Sequence, residues 1–197
     1  MISIGITGSL ASGKSFVLHY LASMGFHTFS ADEFVKQLYE DHEIQSQILN
    51  LMPELKIFDK IEIARLIYHN HRLRKKLQDF IHPFVINALL SFKENNKNDR
   101  FIFAEIPLLF ESNFECYFNL IVTTFCSEES RLDRARIRSN FDQQIYDFIK
   151  TIQLPQDYKI KKADFAINTD TNLIEFESQV WQLIEKFHEY TRDHHRH

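Results

Sequence analysis

Gly8-Ser9-Leu10-Ala11-Ser12-Gly13-Lys14-Ser15 fits the spacing G-x-x-x-x-G-K-[ST], that of a loop that wraps phosphate groups. Upstream, Ile2 to Thr7 (ISIGIT) is apolar and β-branched and predicts a buried strand. Downstream, Phe16, Val17, Tyr20, Leu21 and Met24 recur at helical spacing and predict a helix from Ser15 to Met24. Strand, glycine loop, helix is the setting the motif requires; a chance match in a glycine-rich loop would lack it. Gly8 and Gly13 free the backbone to curl with its N–H groups inward, and the helix start adds its positive dipole end. The expected nucleotide-binding residues here are Gly8, Ala11, Ser12, Gly13, Lys14, Ser15 and Phe16. Lys14 is placed to reach the β- and γ-phosphates of a nucleoside triphosphate, and the Ser15 hydroxyl to bind Mg²⁺.

The 197 residues predict one ordinary domain with room for insertions. At 44% hydrophobic and 25% charged residues, the composition is that of a soluble globular chain. A net charge of −4 argues against nucleic acid or an anionic membrane as partner. Cys116 and Cys126 have neither a disulfide-framework nor a zinc spacing, which points to a reducing cytoplasm. No charged-then-apolar leader opens the sequence, and no apolar run has the length of a membrane span. All four glycines fall within the first 25 residues, so later phosphate contacts are expected from side chains or helix ends.

Gly25 suits a left-handed helix cap, and Phe26 to Ser30 predicts a second strand. Asp32 follows at its end, where open parallel sheets place ligands. It is positioned either to take a proton from a substrate hydroxyl or to cap a helix starting at Glu33. Helical patterns then run to about Asn98, with Phe34, Val35, Leu38 and Tyr39, then Ile44, Ile48 and Leu51, then Ile61, Ala64, Leu66, Ile67 and Tyr68 as apolar stripes. Pro83 is expected in the first turn of a new helix carrying Phe84, Ile86, Ala88, Leu89, Leu90 and Phe92. This is too much helix for a simple crossover and reads as an insertion of about 32–99 over the ligand crevice. His82 is either a substrate contact or a packed histidine.

Asn96-Lys97-Asn98-Asp99 matches the N-K-x-D guanine-reading pattern of GTPases. It follows an amphipathic helix rather than a buried strand, and no later glycine can supply a D-x-x-G switch, so it reads as a solvated turn. Phe101 to Ala104 predicts a third strand with Glu105 at its tip, a candidate for Mg²⁺, a substrate hydroxyl or a capping role. Leu108 to Glu111 is expected to start a short helix, and Leu120 to Phe125 to form a buried strand. Ser127 is expected to cap a helix with Glu128 and Glu129 in its first turn. Arg131, Arg134 and Arg138 fall on one helical face, suited to bidentate contact with phosphoryl oxygens. Polar helix to about Lys162 suggests a lid of about 127–159. Ala163 to Asn168 predicts the fifth strand, and Leu173 to Tyr190 a closing helix with Ile174, Phe176, Val180, Trp181, Ile184 and Phe187 inward. The tail His194-His195-Arg196-His197 reads as a frayed end rather than a metal site.

Together these residues resemble the dephospho-coenzyme A kinase family. The resemblance rests on the phosphate loop, Ala31-Asp32, His82-Pro83, Ile106-Pro107-Leu108-Leu109-Phe110-Glu111, the Arg134 and Arg138 spacing, and Ala163-Asp164 leading to Asn168. It covers Ile2 to about Leu183. It implies an α/β P-loop kinase fold: a five-stranded parallel sheet with helices on both faces, a helical substrate-binding insertion and a lid. The core would be about 1–31, 100–126 and 160–190. It implies transfer of the ATP γ-phosphoryl group to the ribose 3′-hydroxyl of dephospho-coenzyme A in the cytoplasm, with Mg²⁺, by a monomer or weak homo-oligomer.

On the matching positions the resemblance implies that Asp32 is the base, that Lys14 and Arg138 are catalytic, and that Arg134 joins the loop in binding nucleotide. His82, Glu105 and Leu108 are expected to join Asp32 on the substrate side, and Ser15 and Glu105 to face the metal. The sequence departs from the family pattern at Ser30, where the first Asp of an Asp-Ala-Asp run is expected, and at Leu10-Ala11 in place of Ile-Gly. Lys36 stands for a common Arg, and Glu105 for Asp or an apolar residue. A nucleoside or nucleoside-monophosphate kinase, or a nucleotide-dependent switch without an acceptor, are the rival readings; an acceptor panel separates them.

Overall fold

The computed structural model describes residues 1–137 and 141–194, apart from the side chains of His69, Asp193 and His194. The elements run β1 (Ile2–Gly8), α1 (Lys14–Ser23), β2 (His27–Ser30), α2 (Ala31–Leu38), α3 (His42–Leu51), α4 (Lys60–His69), α5 (His71–Asn95), β3 (Phe101–Glu105), a 3-10 turn (Phe114–Tyr117), β4 (Leu120–Phe125), α6 (Glu128–Arg136), α7 (Gln143–Ile152), α8 (Gln156–Lys162), β5 (Phe165–Asn168) and α9 (Leu173–His194). They group into two compact units, Met1–Phe29 with Asn96–His197, and Ser30–Asn95.

The first unit holds the expected five-stranded parallel sheet, in the order β2-β3-β1-β4-β5. β1 is central: Ile4 pairs in register with Phe103 on one side and Leu120 on the other. Buried on both faces, it reads as a continuous apolar run rather than an alternating one. Ile4 and Ile6 point into a core with Phe101, Phe103, Leu120, Val122 and Ile167, closed by Val17, Leu18 and Leu21 of α1 and by α9. α1 stops where expected. Gly25 takes φ 91, and its N–H bonds the Ala22 carbonyl while that of Phe26 bonds the Leu21 carbonyl, which satisfies the last free carbonyls of the helix.

α9 corrects one expectation. Phe176, Val180, Leu183, Ile184 and Phe187 are buried, whereas Ile174 is 80% exposed and Trp181 56%. At 100° per residue those two lie on the opposite face from the buried five. The turn after β3 corrects another. Leu108 to Glu111 is a turn rather than a helix, and the helical hydrogen bonding that follows is the short 3-10 turn after Asn113, which sits at φ 56.

The second unit is wholly helical. α5 contacts α2, α3 and α4 through a spine of Leu73, Leu77, Ile81, Val85 and Leu89, all buried. Pro83 does not begin a helix; α5 runs through it. Interior proline costs about 3 kcal/mol or more, but the buried i, i+4 spine continues unbroken on both sides. Pro83 itself is exposed, so the carbonyl that loses its partner lies on the watery face. In α4 the inward residue is Ile63 rather than Ile61. Arg138 and His195 to His197 lie outside the described residues. Among the described residues, no helix is long and apolar enough to cross a membrane.

Candidate active site

β1 ends at Gly8 and hands the chain to the phosphate loop between the ends of β3 and β4. Gly8 sits at φ 151 and Gly13 at φ 90. A Cβ on Gly8 would lie 2.4 Å from Thr124 Oγ1 and 2.6 Å from Ser12 Oγ, and one on Gly13 would lie 2.9 Å from Thr169 Cγ2. The loop therefore needs glycine twice over, for backbone angle and for space. Ala11, where the family pattern has glycine, also adopts a left-handed angle, φ 60. Its methyl is buried in a small apolar cluster with Ala135 and Tyr146, flanked by Leu10, Leu132 and Phe141.

Neighbouring elements hold the loop rigid. The Ser12 and Thr124 hydroxyls are 2.7 Å apart, and the Leu10 N–H donates to Gln153 Oε1 at 2.8 Å. Gly13 caps α1 without a side-chain hydrogen bond, and no acidic residue occupies the first turn. That helix end suits an anion: its first N–H groups and its dipole both favour negative charge.

Lys14 is only 8% exposed, and its ammonium donates to the Ser9 carbonyl at 2.9 Å. The Ser15 hydroxyl donates to Glu105 Oε1 at 3.1 Å. Glu105 is 2% exposed at the end of β3, in register with Ile6 of β1. A hydroxyl and a carboxylate side by side beneath a phosphate loop suit Mg²⁺, which takes one or two protein oxygens and completes its shell with water and substrate phosphate. Among the described residues no group of three or more His, Cys, Asp or Glu side chains gathers as a metal cage.

Arg134, on α6, donates from Nη1 to Thr169 Oγ1 at 2.9 Å and from Nη2 to the Thr169 carbonyl at 2.7 Å. It lines two openings. One, of about 420 Å³, is bounded by Gly13, Phe16, Thr169, Thr171, Leu173 and Phe176. The other, of about 160 Å³, is bounded by Ala11, Gly13, Lys14, Ser15 and Phe16. Phe16 is half exposed and leans on Phe176 with ring centroids 4.7 Å apart. Gly8, Ala11, Ser12, Gly13, Lys14, Ser15, Phe16, Glu105 and Arg134 thus gather around one loop. Leu108 is half-buried in the turn after β3, where the Thr7 hydroxyl holds the preceding Pro107 carbonyl at 3.2 Å.

Asp32 and His82 belong to the Ser30–Asn95 unit. Asp32 is exposed in the first turn of α2. It is not the cap of that helix: Ser30 is, its hydroxyl accepting the Glu33 N–H at 3.4 Å. His82 is half-buried in mid-α5. Burial holds its pKa below the ordinary 6.5, with Asp79 pulling the other way and Lys75 adding to the depression.

Two residues just beyond β5, Thr169 and Asp170, escape a motif search. Thr169 joins Arg134 to the loop, and Asp170 holds the start of α6. Glu111 Oε1 accepts from the Leu154 N–H and pairs with the buried Lys159 ammonium, both at 2.8 Å, which anchors α8. The signal for Thr169 and Asp170 is positional: they follow β5 at the sheet edge where ligands bind.

A phosphate loop leaving the central strand of this sheet, with a hydroxyl–carboxylate pair beneath it, defines a P-loop kinase of the α/β class. A sequence model of the dephospho-CoA kinase family matches residues 2–175, and the chain belongs to that family. A dephospho-CoA kinase from Rickettsia felis is 53% identical over 184 residues, which cover 93% of this chain and 96% of the relative. The structure of TT1252 from Thermus thermophilus superposes with TM-score 0.82 at 27% identity, covering 94% of this chain and 96% of that one. A dephospho-CoA kinase from Campylobacter jejuni does so with TM-score 0.65 at 26% identity, covering 96% and 98%.

Proposed function

We propose that this chain transfers the γ-phosphoryl group of ATP to the ribose 3′-hydroxyl of dephospho-coenzyme A. The observation that carries the reading is the Ser15–Glu105 contact at 3.1 Å, set directly below a glycine loop shaped for phosphate, in a chain of this family. The loop N–H groups and the α1 terminus hold the triphosphate. Lys14 exchanges the Ser9 carbonyl for phosphate oxygens. Ser15 and Glu105 are the residues that would hold Mg²⁺, and the ion would supply positive charge against the triphosphate. Arg134 borders both the nucleotide and the phosphate openings and contacts ATP with the loop. Asp32 orients the 3′-hydroxyl and accepts its proton, Arg138 stabilises charge on the group in flight, and His82 and Leu108 contact the acceptor. Such catalysis is positioning and electrostatics.

On this reading, about 32–99 is the substrate-binding insertion and about 127–159 the lid of a single kinase domain. The enzyme works in the cytoplasm as a monomer or weak homo-oligomer, on small molecules and not on nucleic acid or membrane. Incubation with ATP, Mg²⁺ and dephospho-coenzyme A, followed by mass detection, should yield a product one phosphoryl unit heavier. Nucleosides and nucleoside monophosphates should remain unmodified in parallel. Phosphorylation of one of these instead, or ATP hydrolysis without any phosphorylated acceptor, would overturn the assignment.

A further inference from the structure

Thr169 is the first residue beyond β5, and one side chain there ties three elements together. Its hydroxyl accepts from Arg134 Nη1 at 2.9 Å. Its own proton faces the Ser12 carbonyl at 2.9 Å and the Phe125 carbonyl at 3.3 Å. The Thr169 carbonyl takes Arg134 Nη2 at 2.7 Å, and the Thr169 N–H is held by Phe125 at 2.9 Å. Arg134 therefore grips a single residue with both terminal nitrogens, and that residue in turn grips the end of β4 and the phosphate loop. The other groups near the guanidinium are more distant, Cys126 Sγ at 3.4 Å and Asp170 Oδ1 at 3.9 Å.

We propose that Thr169 is a positioning residue that sets both Arg134 and the Ser12–Gly13 peptide for nucleotide. The second half follows from peptide geometry. In a trans peptide the C=O and N–H point opposite ways. A Ser12 carbonyl held by the Thr169 hydroxyl leaves the Gly13 N–H facing away from Thr169. Gly13 lies tight against the threonine side chain, with room for no methyl between them, so the peptide has little freedom to turn over. Arg134 remains partly open to solvent, with 36% of its side chain exposed, and lines both openings at the loop. The hydroxyl thus registers a cation on α6 against a loop on β1.

This rests on the reading of Arg134 as a nucleotide contact, and the experiment separates the two. KM for ATP, KM for dephospho-coenzyme A and kcat are measured for Thr169→Val, Thr169→Ser, Arg134→Met and the Thr169→Val/Arg134→Met pair. Loss of a hydrogen bond to a charged group corresponds to roughly a tenfold rise in ATP KM for Thr169→Val, with dephospho-coenzyme A KM moving less than about twofold. Serine, which keeps the hydroxyl, restores ATP KM, and the double variant falls short of the product of the single effects. An Arg134→Met variant with unchanged ATP KM overturns the arginine reading and this inference with it. A raised ATP KM in Arg134→Met but not in Thr169→Val overturns this inference alone, as do equal rises in both KM values, failed rescue by serine, or multiplicative singles. Thr169→Ala, which adds no methyl beside Ser12, is read by the same criteria if the valine variant does not fold.

Discussion

Asp32 occupies the first turn of α2, and its carboxylate already sits where a helix favours negative charge. Ser30 relieves it of capping, so its chemistry is separable from the fold. Asp32→Asn keeps the size of the side chain and removes its basicity, together with a charge worth no more than about 1 kcal/mol at an exposed helix start. Turnover should fall about 10²- to 10⁴-fold, the range of a lost general base, with ATP binding and the circular dichroism spectrum unchanged. Full activity would remove Asp32 from the reaction. Asp170 shows a carboxylate used structurally. Hydrogen bonds from Ser130 and then Ser127 hold its pKa at about 2, below the ordinary 3.8. The Ser130 bond is 2.5 Å and the Ser127 N–H bond 3.1 Å. A depressed carboxyl stabilises the fold above its unfolded pKa and loses that contribution as pH falls through the folded one. The gap in urea midpoint between wild type and Asp170→Asn should therefore be constant above about pH 5 and shrink as pH falls from about 4 toward 2. A gap that stays constant down to pH 3 would contradict this role.

At the scale of elements, local pattern was legible wherever burial and period agreed. LIVTTF is β4 residue for residue, and the run before the glycine loop is β1, because strands buried on both faces leave an unbroken apolar signature. The pattern misled where tertiary packing outweighed a local rule. Ile174 and Trp181 are apolar but lie on the outer face of α9, and a list of apolar residues at near-helical spacing does not fix which side wins. Pro83 signals a helix start, yet Leu77, Ile81, Val85 and Leu89 carry one buried stripe through it. The strain this leaves is testable. Pro83→Ala restores the missing N–H and should stabilise the chain by about 1–3 kcal/mol in urea melts. If the interruption also sets His82 for the acceptor, the same variant raises KM for dephospho-coenzyme A and leaves that for ATP alone. No gain in stability would mean that α5 has relaxed fully around the proline.

Across the whole molecule, the proposed phosphate site draws on the carboxyl ends of β1, β3, β4 and β5, through the glycine loop, Glu105, Thr124 and Thr169. The glycine loop announced itself in sequence because its spacing is local. Thr169 did not, because its meaning depends on β5 lying beside β4 and bringing position 169 to position 12, a closeness no spacing rule encodes. Ala11 lies between: its departure from glycine was visible, but its buried methyl in the Leu132, Ala135 and Tyr146 cluster appears only in the packed structure. Ligand linkage reads this assembly as one quantity. A ligand that binds only the folded chain stabilises it by about 2.7 kcal/mol when present at about 100 times its Kd. Mg²⁺-ATP should raise the wild-type unfolding midpoint accordingly. Gly13→Ala places a methyl 2.9 Å from Thr169 Cγ2 at φ 90, which strains the loop against Thr169. That variant should unfold earlier without nucleotide and show little further shift with it. An undiminished ATP shift in Gly13→Ala would mean that nucleotide binding does not depend on the loop's conformation at Gly13.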